Sequence, residues 1–284
     1  METTRIDIFQ QRTFRTQPGL RLRTPDEALK FIDARGFIFF WPVKDLRFPS
    51  LWSAVAGDRP VPNNHDDPGH ITWRWKDDML PHRRWYYGKL LRGKGTFVSL
   101  KTLPYFYALS NRVGDLDDFQ AAYQAGTLSH EAYVIASLLL NEGPQNSIQL
   151  RRKAGLASPA AKYSFHRALT TLQRGLWILP VRVAQAGSWN YAFEYELFDR
   201  WFPAIRGGAR HIKTTRARQQ LLSLALQSLG RISFRTAKRL FGWPAPHLQN
   251  ALASLEQTRA AIPCGNDEWH LPALHPDVHP RKEA

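Results

Sequence analysis

The stretch NNHDDPGHITW, residues 63–73, gathers the side chains best suited to chemistry, with His65, Asp66, Asp67 and His70 close together. A carboxylate in such a loop can take a proton from water and act as a general base. His and Asp together also hold metal ions in phosphohydrolases, but the sequence does not supply the further ligands at helical spacing that those sites need. A third reading is a turn, because Asn, Asp, Pro and Gly are what tight turns demand. His65, Asp66 and Asp67 are therefore the catalytic candidates, with no metal. Asp77 and Asp78 follow in WRWKDD, where capping or solvation accounts for them. No Ser-His-Asp order, phosphate loop or dinucleotide fingerprint occurs. The single cysteine, Cys264, allows neither an intramolecular disulfide nor a cysteine-based metal motif. No cofactor is expected.

Charge points to the partner. The chain carries 39 Lys+Arg against 24 Asp+Glu, a formal +15. Residues 145–240 hold 17 of those cations and only three acids, Glu194, Glu196 and Asp199, a net +14. Cations concentrated in this way fit a polyanion, since they displace counterions from phosphates.

The helix expected over 159–174 sharpens this. On a 100° wheel Ala161, Phe165, Ala168, Leu169 and Leu172 form the apolar stripe of a packed helix. The opposite face carries Lys162, Tyr163, His166, Arg167, Thr170 and Arg174, without an acid. Arg and Lys meet phosphates or guanine edges, while Tyr, Thr and His offer neutral hydrogen bonds. A plain solvated face is the alternative. Arg182 and Trp189 are expected on strands flanking a hairpin turn, where a wing reaches a groove; for Trp189 the core is the other reading.

The elements that must position these residues follow from caps and periodicity. Residues 1–24 read as a loose arm. TPDEALKFIDARG is a helix with Thr24 as N-cap, Pro25 in the first turn and Gly36 as its stop. PSLWSAVAG and TWRWKDDML are helices, and RRWYYGKLLRGKGTFVSL is a hairpin turning near Arg92 to Gly95. LSHEAYVIASLLLNEGP, SIQLRRKAGL (capped at Ser147) and SPAAKYSFHRALTTLQRG (opening at Ser158) are three helices. LWILPVRV and WNYAFEYEL form a hairpin around AQAGS. Three helices and a hairpin is the order of a winged helix, and TTRARQQLLSLALQSLG to AAIPCGNDEWHLP repeats it. The expected fold is mainly α with β-hairpin wings (α+β), built of tandem winged helix-turn-helix domains. The domains are a 1–24 arm, a divergent winged-helix-like domain at 25–126, winged helices at 127–203 and 204–272, and a 273–284 tail. In the last winged helix, PHLQNALASLEQT has no cation, so that unit is read as mainly structural, with Arg235, Lys238 and Arg239 on the preceding helix as its other route to DNA.

YELFDRWFP, residues 195–203, directly after a winged-helix hairpin, resembles the Tyr-acid-Leu-x-x-Arg-x-x-Pro signature of the AlkZ-like winged-helix DNA glycosylases. TTRARQQLLSLALQSLG is similar to the next module of that family. SLWSAVAGDRPVP, HDDPGHITWRWKD and WYYGKLLR look like a divergent AlkZ-related branch. The resemblance spans roughly residues 25–272. It implies winged helices cradling duplex DNA and metal-independent removal of alkylated bases or unhooking of crosslinks. Family enzymes place a Gln-x-Gln or Gln-x-Asp motif where this chain has Phe39, Phe40 and Trp41. They also carry a C-terminal β-barrel, whereas HPDVHPRKEA follows here. The catalytic group is thus relocated or lost, and duplex DNA, damaged or distorted, is the implied partner of a monomer. The alternative is a non-catalytic winged-helix transcriptional regulator.

The aromatic run RGFIFFWPVKDLRFPSLW, residues 35–52, has three readings: core, membrane contact, or the wall of a pocket. Charges and prolines keep it short of the roughly 18 apolar residues of a membrane helix. A base could stack on Phe39 or Trp41, an interaction of about 1–3 kcal/mol per base; packing is the other role of such rings. METTRIDIFQQRTFRTQPG has no apolar signal region, so the expectation is a cytoplasmic, nucleoid-associated protein.

Overall fold

Helix starts fall where the sequence supplies caps, and three successive segments use them to build the same topology. The computed structural model describes residues 2–64, 66–110, 112–187 and 189–275. In the first unit α2 (Pro25–Arg35) is capped by the Thr24 side chain and stopped by Gly36 at φ +79°. The unit continues through β1 (Phe37–Phe39), α3 (Leu51–Ala56, capped by Ser50) and α4 (Ile71–Met79) to the hairpin β2 (Tyr86–Gly88) and β3 (Thr96–Val98). Its sheet order is β1-β3-β2, all antiparallel, with Phe37 and Tyr86 flanking Val98. This is helix-strand-helix-helix-strand-strand with the last strand central, the same order as in the two units that follow.

Two helices, α5 (Leu103–Ala108) and α6 (Phe119–Gln124), lead into the second unit. It runs α7 (His130–Glu142), β4 (Gln145–Asn146), α8 (Ser147–Lys153), α9 (Lys162–Arg174), β5 (Ile178–Ala184) and β6 (Ala192–Leu197), in sheet order β4-β6-β5. Two expected boundaries move. The cap of α8 is Asn146, not Ser147, and a reciprocal bond from Gln149 completes a capping box. Ser158 to Ala161 form a turn, so α9 starts at Lys162.

An elbow of two short helices, α10 (Phe198–Trp201) and α11 (Pro203–Ala209), leads to the third unit. That unit is α12 (Thr214–Leu229), β7 (Arg231–Ser233), α13 (Phe234–Phe241), α14 (Ala245–Gln257), β8 (Ile262–Pro263) and β9 (Glu268–His270), in order β7-β9-β8. Arg239 on α13 donates to the Asp45 carbonyl at 2.6 Å, which ties this unit to the first.

The N-terminal segment is not a loose arm. α1 (Glu2–Thr13) packs along α12, with Ile6 and Phe14 buried. Gln10 donates to the Leu229 carbonyl at 2.8 Å and Thr13 to the Ser228 carbonyl at 2.7 Å, and both acceptors lie in the last turn of α12. Helix ends leave such carbonyls without partners, so α1 acts as a cap built from side chains. Of the expected 273–284 tail, residues 273 and 274 belong to the 3-10 turn Pro272–Leu274, and residues from 276 lie outside the described residues.

The aromatic run lies at the centre of the fold because both faces of the first sheet are covered. Phe37 and Phe39 point into a core shared with the elbow and the third unit, while Ile38 and Phe40 point into the core under α2, α3 and α4. A strand buried on both faces reads as an unbroken apolar run. The second unit keeps its own core of Ile135, Leu139, Phe165, Leu169 and Leu172. Among the described residues, no helix is long and apolar enough to cross a membrane.

YELFDRWFP is the joint between the units. Glu196 is 3% exposed and pairs with Arg200 at 3.1 Å. Arg200 also donates to the carbonyls of Leu139 and Leu140 at 2.9 and 3.0 Å, satisfying the end of α7. Burial holds the Glu196 carboxyl above the usual range, and the Leu197 amide and Arg200 oppose that. The motif is therefore a structural lock.

Candidate nucleic-acid interface

The α9 face is presented outward largely as its composition requires. Phe165, Ala168, Leu169 and Leu172 are buried. Lys162, Tyr163, His166, Arg167 and Arg174 are exposed, Tyr163 to 74%. Thr170 is half-buried, bonds back to the His166 carbonyl at 2.8 Å, and its methyl lies beside Gly93 of the first unit's hairpin turn, where a side chain would meet it at 3.3 Å. Gln173 on the same helix is buried and accepts from the Lys89 amide at 3.0 Å. These contacts dock α9 against the first unit, so the positive surface extends beyond the helix. Partial burial lowers the pKa of the His166 imidazole, and the charges of Lys89, Lys162 and Arg151 add to that. Cations from α8, α9 and the β2–β3 hairpin thus converge on one ring. A neutral imidazole among cations can donate or accept a hydrogen bond while its neighbours hold phosphates.

The wing differs from expectation in one respect. Trp189 lies in the turn between β5 and β6, not on a strand, and is 89% exposed, so it is not core. Arg182 is on β5, half-exposed and paired with Glu194 at 2.9 Å, so part of its charge is already compensated.

Residues 66–70 form a turn. Arg59 grips both oxygens of Asp67 at 2.6 and 2.9 Å, and Asp67 also accepts from the Gly69 amide at 2.8 Å, capping the 3-10 turn Pro68–His70. The Arg59 guanidinium holds this carboxyl below the usual range. Asp66 is exposed, with its amide on the Asn64 side chain at 3.1 Å. His65 lies outside the described residues. No cluster suited to a metal ion occurs among the described residues.

Of the two rings considered for stacking, Phe39 is 1% exposed and packs edge-on against Phe48, so no base can reach it. Trp41 is 37% exposed and stacks on Phe40, with its ring 5.6 Å from that of Trp73.

Beside Trp41 is an arrangement that sequence reasoning missed. Lys76 on α4 is 1% exposed, and its ammonium lies 4.5 Å from the Phe193 ring centre, 5.0 Å from Trp73, 5.3 Å from Tyr87, and 5.7 Å from both Phe40 and Tyr191. Aromatic faces attract a cation, but a buried charge also needs a counter-charge. Asp77 supplies it through Oδ1, and Lys76 donates in addition to the Tyr191 hydroxyl at 3.0 Å. The Tyr191 hydroxyl donates to the same Oδ1 at 3.1 Å. Burial pushes the Lys76 ammonium down and the Asp77 carboxyl up, while each charge opposes the shift of the other. Asp77 and Tyr191 line a cleft of about 500 Å³ together with His70, Trp73, Arg74 and Asp78, and Lys76 is buried behind them. Tyr191 belongs to the wing of the second unit, one residue before β6, so the cleft lies between two units. The sequence held a signal in Trp73, Lys76 and Asp77, which recur at helical spacing.

Two comparisons bear on this architecture. The structure of Streptomyces sahachiroi DNA glycosylase AlkZ is similar to this chain with a TM-score of 0.54 and 12% identity, over 94% of this chain and 69% of that one. At that identity the likeness is one of fold. No curated protein matches. The family model described as AlkZ related matches residues 22–242, from the start of the first unit to the end of α13. That match spans most of the chain, which belongs to the AlkZ-related family.

Proposed function

We propose that this protein binds duplex DNA and acts in DNA repair, on damaged or distorted sites. The observation that carries the reading is the acid-free outer face of α9, with Lys162, Arg167 and Arg174 exposed beside a wing that ends in Trp189. Such a face meets the phosphate backbone and groove edges, as recognition helices of winged units do. An exposed aromatic at a wing tip suits a site where base stacking is already interrupted. The match to the AlkZ-related family supports the repair assignment, since AlkZ is named as a DNA glycosylase. The Gln-x-Gln or Gln-x-Asp positions hold Phe39, Phe40 and Trp41, so catalysis by that motif is lost. The protein acts as a monomer without metal or nucleotide cofactor, in the cytoplasm with the nucleoid.

A transcriptional regulator would use the same α9 face, but it has no need of an open aromatic cleft beside the wing. Fluorescence anisotropy on otherwise identical duplexes separates the two. A duplex carrying N7-methylguanine, an abasic-site analogue or an interstrand crosslink should bind about tenfold or more tightly than the matched one, about 1.4 kcal/mol. Unstacking costs less where pairing is already damaged. Equal affinity for damaged and matched duplexes, with preference for one sequence, would assign the protein to regulation instead.

A further inference from the structure

We infer that the cleft between α4 and the second unit's wing is the base-excision site of this protein, with Asp77 as the catalytic carboxylate and Lys76 and Tyr191 as positioning residues. This rests on the DNA-repair reading and adds a chemical step to it. Four observations carry it. The cleft, about 500 Å³, is large enough for one extruded base. It offers aromatic surface: Trp73 and Tyr191 line it, packed edge-to-face with ring centres 6.0 Å apart, and exposed Trp41 stands 5.6 Å from Trp73. Such faces stack on any base and attract one that carries positive charge. The wing supplying Tyr191 also carries Trp189 at its tip, 89% exposed, where a side chain can take the place of a base drawn out of the duplex.

The fourth observation is the aim of the carboxylate. Among the described residues, both hydrogen bonds to the Asp77 side chain fall on Oδ1, from Lys76 and from Tyr191. Its side chain is 19% exposed and lines the cleft, which leaves Oδ2 for a water molecule. Asp67, the other candidate, has both oxygens held by Arg59.

The step balances without any further reagent. The oxygen of water attacks C1′ of the extruded nucleotide as the C1′–N bond breaks, and the bonding pair leaves with the base. The water proton passes to Asp77 Oδ2 and from there to solvent. A base made cationic by alkylation departs neutral and needs no proton. Asp77 and Asp78 favour that charge in the ground state, and Asp77 favours the cationic sugar that forms as the bond opens.

The test is base release by the full chain in excess over a duplex containing one N7-methylguanine, under single-turnover conditions and with binding measured in parallel. Wild-type protein should generate abasic sites. Asp77→Asn should bind the duplex and release base about 10²–10⁴-fold more slowly. Because Asp77→Asn leaves Lys76 buried without its counter-charge, Tyr191→Phe provides a second readout that keeps the ion pair. Lys76, Asp78, Tyr87 and Tyr191 act on the Asp77 carboxyl, with His70 and Arg74 on the cleft wall. Loss of the Tyr191 hydrogen bond removes a stabiliser of the carboxylate, so the acid limb of the pH–rate profile should move to higher pH. A bound duplex from which wild-type protein releases no base would overturn the inference, as would Asp77→Asn at the wild-type rate or loss of release in Asp66→Asn. No binding to any duplex would instead overturn the DNA-repair reading beneath it.

Discussion

Replacing Arg112 with alanine is expected to lower the unfolding free energy by about 3–5 kcal/mol, the cost of stranding buried charges. The Arg112 side chain is 3% exposed and meets two carboxylates that are each 7% exposed, Asp118 at 2.7 Å and Asp199 at 2.6 Å. It also donates to the Leu176 carbonyl and lies over the rings of Tyr107 and Trp177. Asp199 accepts a further bond from the Tyr107 hydroxyl at 2.7 Å. Arg112 lies in the segment between α5 and α6, Leu176 follows α9 and Asp199 lies in the elbow, so one guanidinium ties the linker after the first unit to the second unit and to the elbow. Lysine at this position would keep the charge but lose the planar fork, so Arg112→Lys should recover only part of the stability. The pH dependence has a definite sign. Burial already holds the Asp199 carboxyl above the usual range, with Arg112 opposing. Without Arg112 that carboxyl rises further, so the folded variant binds its proton at a pH where the unfolded chain does not. The penalty is then full above the folded pKa and vanishes once pH falls below the unfolded value of about 3.9. Urea denaturation of wild type and variant from pH 7 downward reads this directly. A loss below about 1 kcal/mol at pH 7, the range of an exposed pair, would show that the network is not a buried joint.

Phe37→Ala should cost a similar amount, about 3–5 kcal/mol, by cavity formation. Phe37 is fully buried, with ring centres of Phe48, Phe106 and Phe241 at 5.2, 5.4 and 5.9 Å. Phe241 ends α13, so this ring seals the first unit against the third. Trp41→Ala, four residues along and 37% exposed, is the internal contrast: it should alter stability far less and DNA affinity more. Equal destabilisation by the two substitutions would contradict the division of the aromatic run into core and an exposed ring beside the cleft.

That division explains how much was legible in the sequence. The helices of the second and third units could be read because they carry caps and glycine stops at Ser129, Gly143, Ser233 and Gly242. The first unit has the same order, but its strands are three residues long and a turn-rich loop separates α3 from α4. α1 was hidden because it docks through Gln10 and Thr13, polar side chains that cap a distant helix; only Ile6 and Phe14 mark its buried face. The outer face of α9 followed from helical periodicity and composition together, since a helix face without acids needs no tertiary information to be noticed.

The cleft did not follow from sequence, for a physical reason. Asp77 reads as a solvated acid until Tyr191, 114 positions away, is known to bond to it. Lys76 likewise reads as a surface residue, yet the rings around it come from the residue after β1, from α4, from β2 and from the second unit's wing. For Asp67 the sequence left a turn and a catalytic carboxylate both open; in the fold Arg59, eight residues before it, holds both its oxygens while it caps the 3-10 turn Pro68–His70.

The measurement closest to the central claim is the salt dependence of duplex binding for wild type and for Arg167→Ala combined with Arg174→Ala. Both arginines are on the exposed face of α9. Each phosphate neutralised contributes about −0.9 to the slope of log affinity against log salt. The double variant should bind more weakly at low salt, with a slope shallower by about 1.8. Unchanged affinity and slope in a folded double variant would show that α9 does not face DNA and would contradict the account.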